Sequence, residues 1–262
     1  MTYAEAIAAS GLEPREARLL LAEACGQSQA QIAAFPGREL ASQAAERFFA
    51  GSARRRAGEP MAYILGRKEF YGLELAVDAR VLVPRPETEL LVELALAAPM
   101  ASLADLGTGC GAIALAVKRH RPAARVVGVE ASASALAVAA ANASRLALDV
   151  ELRPGRWFDP LGGERFDVVV SNPPYVAMGD PHLPALRFEP ASALVAGSDG
   201  LEALREIVAG APAHLTAGGR LLLEHGQGQD ASVRRLLEDA GFAEITTYAD
   251  LAGIGRVTGG KR

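Results

Sequence analysis

Cysteine is scarce in this chain. Cys25 and Cys110 are the only two in 262 residues, they stand far apart, and neither sits in a C-x-x-C pair. A chain this long has no need of disulfide staples, so two unpaired thiols point to a reducing compartment. Four histidines, His120, His182, His214 and His225, show no metal-ligand spacing, and no metal is expected. No apolar run approaches the length of a membrane span. The first residues, MTYAEAIAASGLEP, lack both a basic start and a long apolar stretch, which excludes a signal peptide there. A surplus of positive charge is also missing: the net charge is −4, so the overall electrostatic footprint of an obligate nucleic-acid binder is absent. A cytoplasmic protein with no membrane partner is expected.

What is present is a large apolar fraction, 50% of residues, enough for one large domain or one large and one small. The first part reads as helical. Pro14 opens EARLLLAEACG, with Ala17, Leu20, Leu21 and Ala24 on one face and Gly26 as a stop. A second periodic stretch, SQAAERFFAGSARRRAG, carries Phe48 and Phe49. Its Arg54-Arg55-Arg56 run reads as a solvated helix face, or as a patch that steers an acidic partner. Two short strand-like runs, Glu69–Val77 and Arg80–Val83, flank Asp78-Ala79 and predict a β-hairpin. Glu87–Ala98 then restarts as a helix. From Ser102 onward strands and helices alternate, which predicts an α/β fold with a mostly parallel sheet covered on both faces. The last two strands have no helix between them, so one of them runs antiparallel to its neighbour. The expected domains are a helical one over 1–67, a hairpin linker over 68–84 and an α/β domain over 85–262.

Two motifs carry chemistry. Asp105-Leu106-Gly107-Thr108-Gly109-Cys110-Gly111 follows the first strand of the alternating part and opens a helix. Its glycines let backbone come close to a ligand, and the helix N-terminus favours an anionic group. Glu130 ends the next strand, nineteen positions after Gly111, where it can hold both hydroxyls of a ribose. The loop also satisfies the permissive dinucleotide fingerprint, so NAD and S-adenosylmethionine both fit it. The second motif, Asn172-Pro173-Pro174-Tyr175, ends the strand that begins FDVVV. Proline fixes φ and restricts the residue before it, so the turn is rigid. It offers the Asn172 side-chain oxygen, the Pro173 carbonyl and an aromatic face, with no N–H at 173 or 174. Such a surface suits a planar –NH2 group. Two acceptors stabilise the positive charge that develops when that nitrogen is alkylated, and Tyr175 can hold the flat group in line.

These segments resemble the HemK/PrmC family, which methylates the side-chain amide of a glutamine in class I peptide-chain release factors. EPMAYILGRKEFYG, VLVPRPETELLVE, DLGTGCGAIALA, SNPPY, RFEP, LLLEHG and DLAGIGRVT follow in the family's order over nearly the whole chain. The resemblance implies a seven-stranded, mostly parallel, Rossmann-like methyltransferase sheet behind a small helical domain that docks the protein substrate. It implies that Asp105, Gly107, Thr108, Gly109, Cys110, Gly111, Glu130, Trp157, Phe158 and Asn172 bind S-adenosylmethionine, which leaves as S-adenosylhomocysteine. Asn172 through Tyr175 would be the catalytic turn that holds the glutamine amide. The long aperiodic segment Gly179–Gly200 reads as a lid or as a packed loop; the resemblance favours a lid that shapes the substrate pocket through Arg187 and Glu189. Two positions depart from the family's usual pattern: Glu130 stands where Asp is usual, and Arg156 where a polar or acidic residue commonly precedes the Trp.

The partners expected are class I release factors, met by a monomer with no stable nucleic acid. The Asn-Pro-Pro-Tyr turn alone is shared with nucleic-acid methylases, so methylation of an exocyclic amine of DNA adenine or rRNA guanine is the alternative. It predicts a basic groove or an added base-recognition domain. Residues 1–74 carry nine basic and nine acidic side chains and the remainder eighteen against twenty-two, which supplies none. A nicotinamide dehydrogenase or a non-catalytic nucleotide binder would leave the Asn-Pro-Pro-Tyr turn unexplained.

Overall fold

The computed structural model describes all residues, 1–262. The chain divides into two compact units, Met1–Arg67 and Lys68–Arg262. The first holds five helices: α1 (Tyr3–Ala9), α2 (Pro14–Cys25), α3 (Gln29–Ala34), α4 (Ser42–Arg56) and α5 (Met61–Leu65). Capping boxes start α1 and α3, at Thr2 with Glu5 and at Ser28 with Gln31, each closing two orphan N–H groups. Pro14 is in the first turn of α2, and Gly26, at φ 61°, ends it in the left-handed conformation that glycine adopts without a steric cost. The apolar faces meet in one core around Tyr3, Leu20, Leu21, Ile32 and Phe48.

The three arginines that end α4 are committed inside this unit. Arg54 pairs with Glu59 at 2.6 Å, Arg55 with Glu16 at 2.8 Å, and Arg56 donates to the Ser10 carbonyl. Arg54 and Arg56 stay exposed, as expected of a solvated helix face, while these cations at a helix C-terminus also find acceptors on the same small bundle.

In the second unit the expected hairpin is displaced. Its strands are β1 (Arg67–Phe70) and β2 (Leu73–Ala76), and it turns at Tyr71-Gly72 rather than at Asp78-Ala79. Tyr71 at φ 48° and Gly72 at φ 75° make the two-residue, positive-φ turn that matches strand twist. Asp78 instead caps a local turn through Arg80 N–H, and Arg80–Val83 is not a strand. The alternation there still buries Val77, Val81 and Val83.

The remaining elements are α6 (Thr88–Ala97), β3 (Ser102–Leu106), α7 (Ala112–His120), β4 (Arg125–Glu130), α8 (Ala133–Leu146), β5 (Glu151–Pro154), β6 (Phe166–Ser171), α9 (Glu202–His214), β7 (Leu215–Glu224), α10 (Asp230–Asp239), β8 (Ala243–Ala249) and β9 (Gly255–Lys261). They build a seven-stranded sheet in the order β5-β4-β3-β6-β7-β9-β8. β9 alone runs antiparallel, to both β7 and β8. The central strands are continuous apolar runs because both faces are covered by helices. Val126, Val127, Val129, Val168, Val169 and Val170 are all buried, each contributing roughly 1.5–3 kcal/mol of burial. No helix is long and apolar enough to cross a membrane.

The strand order reverses between β3 and β6. From β3 the chain winds through β4 to β5 on one side, and from β6 to β7 on the other. Parallel sheets open a crevice outside the carboxyl ends at such a switch point. Leu106 and Ser171 are register partners there, and the Ser171 hydroxyl donates to the Leu106 carbonyl at 2.6 Å. Gly107 and Asn172 therefore leave the sheet side by side.

Candidate functional site

Four loops leave the carboxyl ends of β3, β4, β5 and β6, and together they wall a cavity of about 540 Å3. The glycine loop is held from below. Gly107 N–H and Thr108 N–H both donate to the Val129 carbonyl, at 2.8 and 2.9 Å. Asp105 Oδ2 accepts from the Thr108 hydroxyl at 2.6 Å and from Ala114 N–H at 3.2 Å, closing the loop onto the first turn of α7. Burial pushes the Asp105 carboxyl up to about 7, against those two bonds, and its Oδ1 has no partner. Asn142, on α8, donates to the carbonyls of Cys110 and Ala76 at 3.0 Å, so it ties the loop to the hairpin.

Of the loop residues expected at the site, Gly107 and Gly109 line the cavity. A Cβ on Gly107, whose φ is +74°, would stand 3.3 Å from the Trp157 ring, so the ring rests on bare backbone. Asp105, Thr108 and Cys110 are buried and shape the loop from behind. Cys110 is no nucleophile, since burial pushes its thiol up to about 12. Glu130 is on the cavity wall, half-buried, with Oε2 accepting from Gly109 N–H and Oε1 from Ser132 N–H, both at 2.9 Å. A carboxylate has about four acceptor sites, so capacity remains for ligand hydroxyls.

After β5 the chain turns through Trp157 at φ 46°. That conformation puts consecutive aromatics in different places. Trp157 lines the cavity, with Nε1 donating to Glu206 of α9 at 2.7 Å, while Arg156 pairs with the same carboxylate and lies 5.4 Å from the indole centroid. Phe158 faces the core instead, stacked on His214 at 4.6 Å and beside Gly210, where a Cβ would come within 2.5 Å of its ring. Phe158 is therefore not part of the cavity wall, which corrects the expectation that it packs on a bound ligand.

Asn172 and Pro174 line the same cavity, Pro173 is buried, and Tyr175 lies outside the lining with its ring against Gly226. Asn172 Nδ2 donates to the Thr88 hydroxyl at 3.1 Å, which leaves its Oδ1 as the outward acceptor. The Tyr175 carbonyl accepts from Gln229 at 3.0 Å, and burial pushes its phenol up to about 12.

The segment after the turn forms one wall. Val176 N–H donates to Leu194 O at 2.8 Å and Ala196 N–H to Val176 O at 2.9 Å, and Pro190, Ser192 and Val195 reach the cavity. Glu189 and Arg187 do not line it. Glu189 accepts from Val83 N–H at 3.0 Å and from the Arg85 guanidinium, with its side chain 2% exposed. Arg187 lies over the Phe188 ring at 4.8 Å. The expected substrate contact at Glu189 is thus corrected to a clamp that joins the wall to the Pro-Arg-Pro segment. Thr88, Asn142 and Glu206 are site-building residues that the sequence left unmarked; each acts through a partner more than thirty positions away, and no local spacing announces that.

Comparison with known proteins gives the family. Residues 3–66 match the PrmC N-terminal domain and residues 86–187 the methyltransferase small domain. The release factor glutamine methyltransferase of Burkholderia pseudomallei is 50% identical over 99% of this chain and 96% of its own length. That of Pseudomonas aeruginosa is 51% identical over 94% of this chain and 91% of its own. Among solved structures, a methyltransferase from Pyrococcus furiosus aligns with a TM-score of 0.55 at 19% identity, covering 80% of this chain and 96% of that one, a likeness of fold. Identity at this level over almost the whole length of both chains means that the protein belongs to the release factor glutamine methyltransferase family.

Proposed function

We infer that this protein methylates the side-chain amide nitrogen of the glutamine in the Gly-Gly-Gln motif of class I release factors, using S-adenosylmethionine. The observation that carries the reading is the shared cavity: the glycine loop after β3 and the Asn-Pro-Pro-Tyr turn after β6 open into one space at the switch point. Its residues fit the cofactor. Bare backbone at Gly109 accepts a closely approaching ligand, Glu130 has acceptor capacity for the ribose hydroxyls, and Trp157, seated on Gly107, offers a flat face for the adenine. When bound, S-adenosylmethionine supplies an electrophilic methyl group on a sulfonium that departs as a neutral thioether.

The chain's own residues do the rest. Asn172 Oδ1 and the Pro173 carbonyl accept the two amide N–H bonds and aim the nitrogen. As that nitrogen gains a methyl group it gains positive charge, and acceptors fixed beforehand stabilise the charge without reorganising. The amide proton leaves after alkylation, so no strong base is required. Tyr175, outside the cavity wall and against Gly226, backs the turn, and the helical unit docks the release factor. The same reading makes the protein a cytoplasmic monomer with no lasting hold on nucleic acid or membrane.

The test is transfer of labelled methyl from S-adenosylmethionine to a purified class I release factor beside its Gln→Ala variant. Label on the first alone is expected, and Asn172→Ala should lower the rate about 10²–10³-fold. Label on RNA or DNA and none on the release factor would overturn the reading.

A further inference from the structure

The Asn-Pro-Pro-Tyr turn cannot hold itself. Pro173 and Pro174 have no N–H, so no hydrogen bond closes through them. Proline also fixes φ but leaves ψ, the angle that aims its own carbonyl. The entry to the turn is fixed by the sheet: Ser171 is in register with Leu106 and Leu223, and its hydroxyl donates to the Leu106 carbonyl at 2.6 Å. The exit needs a partner from elsewhere. Val176 bonds to Leu194 and Ala196, which belong to the same irregular wall segment.

Gln229 is that partner. It stands just before α10, and its side chain does not cap that helix. It reaches across to three backbone groups instead. Nε2 donates to the Tyr175 carbonyl at 3.0 Å and to the Gly200 carbonyl at 3.4 Å, while Oε1 accepts from Gly226 N–H at 2.8 Å. Two glycines make room for this amide. A Cβ on Gly200, whose φ is +74°, would stand 2.4 Å from the Tyr175 oxygen, and one on Gly226 would stand 3.1 Å from Gln229 Oε1. Gly226 is itself held. The buried His225 has Nδ1 3.0 Å from the Gly226 carbonyl and Nε2 2.8 Å from the Thr258 hydroxyl of β9. A carbonyl only accepts, so Nδ1 carries the proton and Nε2 accepts from Thr258. Bonds thus run from β9 through His225, Gly226 and Gln229 to the exit of the turn, and to Gly200 where the wall segment ends.

We propose that Gln229 is a positioning residue for methyl transfer: its NH2 group pins both ends of the wall segment, Tyr175 and Gly200, and so fixes the acceptors of the turn. This rests on the reading above that the turn receives the substrate amide. With entry and exit both held, and two φ angles fixed between them, Asn172 and the Pro173 carbonyl have one place to stand. Once the exit is released the turn swings on its free ψ angles, and a displacement of about 1 Å at reacting groups costs on the order of 10²-fold in rate. The donor half of the amide is the half that acts. Gln229→Glu keeps the size and the bond from Gly226 N–H, but sets a carboxylate beside two carbonyl oxygens. Gln229→Met keeps the shape and removes all three bonds.

The experiment measures single-turnover methylation of a class I release factor, with cofactor affinity by calorimetry and the Val176 backbone amide by ¹⁵N NMR. Gln229→Met should lose about 10–100-fold in rate at saturating release factor, and Gln229→Glu at least as much. The amplitude, the release-factor concentration at half-maximal rate and the cofactor affinity should stay at wild-type levels, since Gln229 is part of neither the glycine loop nor the helical unit. An enzyme that is merely destabilised would lose amplitude instead, and its surviving molecules would keep the wild-type rate. That outcome, or a wild-type rate in Gln229→Glu, would overturn the proposal. The NMR signal separates it from the functional reading. In the protein without release factor, Val176 should give one amide signal in wild type and a broadened or doubled one in Gln229→Met, whatever the methyl acceptor turns out to be. A single, unshifted signal in Gln229→Met would sink the proposal even if methylation of the release factor is confirmed.

Discussion

Arg85→Ala separates the clamp from the surrounding packing. In the folded protein the Glu189 side chain is 2% exposed and accepts from Arg85 and from Val83 N–H, while Arg85 itself is 33% exposed. Removing one partner of a fully buried pair costs about 3–5 kcal/mol, because the other charge is stranded. Here water reaches the guanidinium side and the Val83 N–H remains, so the loss should be about 2 kcal/mol, that of one hydrogen bond to a charged group. For a unit of this size, that lowers Tm by roughly 4–8 °C. Calorimetry and urea unfolding read it directly. The double variant Arg85→Ala/Glu189→Ala should lose less than the sum of the single variants, since the stranded charge is gone. The wall that Glu189 anchors also lines the cavity, so Arg85→Ala should weaken cofactor binding as well, the ligand now having to order that segment. A Tm within about 1 °C of wild type, or strictly additive singles, would refute the assignment of Glu189 as a clamp.

Stability should also depend on pH through the buried carboxyls. Asp105 and Glu224 both stand at about 7 in the folded state, above their unfolded values, so the fold binds more protons than the unfolded chain between about 4 and 7 and stability falls as pH rises through that window. His225, held below its ordinary value by burial, works in the opposite direction as pH rises toward 6.5. Two carboxyls against one imidazole leave a net loss, and Asp105→Asn should flatten the Tm–pH profile; an unchanged slope would argue against a buried carboxyl at 105. Glu206→Ala frees the Trp157 indole and Arg156, and should weaken cofactor binding about tenfold, from one half-exposed charge-assisted bond. Quenching of Trp157, the only tryptophan, gives the affinity; wild-type binding would mean that the indole is held by packing alone.

Much of this protein is settled by local physics. The alternation of apolar runs and helical faces specifies a covered parallel sheet, because a run such as Val168-Val169-Val170 is tolerable only where both faces are dry. Pro14 and Gly26 bracket α2 by fixed φ and by left-handed φ, which need no tertiary context. The glycine loop and the Asn-Pro-Pro-Tyr turn also declare themselves, since backbone freedom and its removal are properties of the residues.

What the linear order does not contain is the partner of each side chain. Tyr71-Gly72 won the hairpin turn over Asp78-Ala79 because strand twist favours two positive-φ residues and Asp78 had its own backbone to bond. One backbone angle at Trp157 decided that its ring faces the cavity and that of Phe158 the core. Arg54, Arg55 and Arg56 read as a solvated helix face, and only the folded bundle names their partners as Glu59, Glu16 and the Ser10 carbonyl. Glu189 looks like a substrate contact until Val83 and Arg85 arrive from about a hundred residues away. Thr88 becomes a partner of Asn172 only when the fold brings α6 behind the turn after β6. Backbone propensity is a property of short stretches, whereas burial and hydrogen-bond satisfaction are properties of the assembled interior, and the direction in which Asn172 points belongs to the second kind.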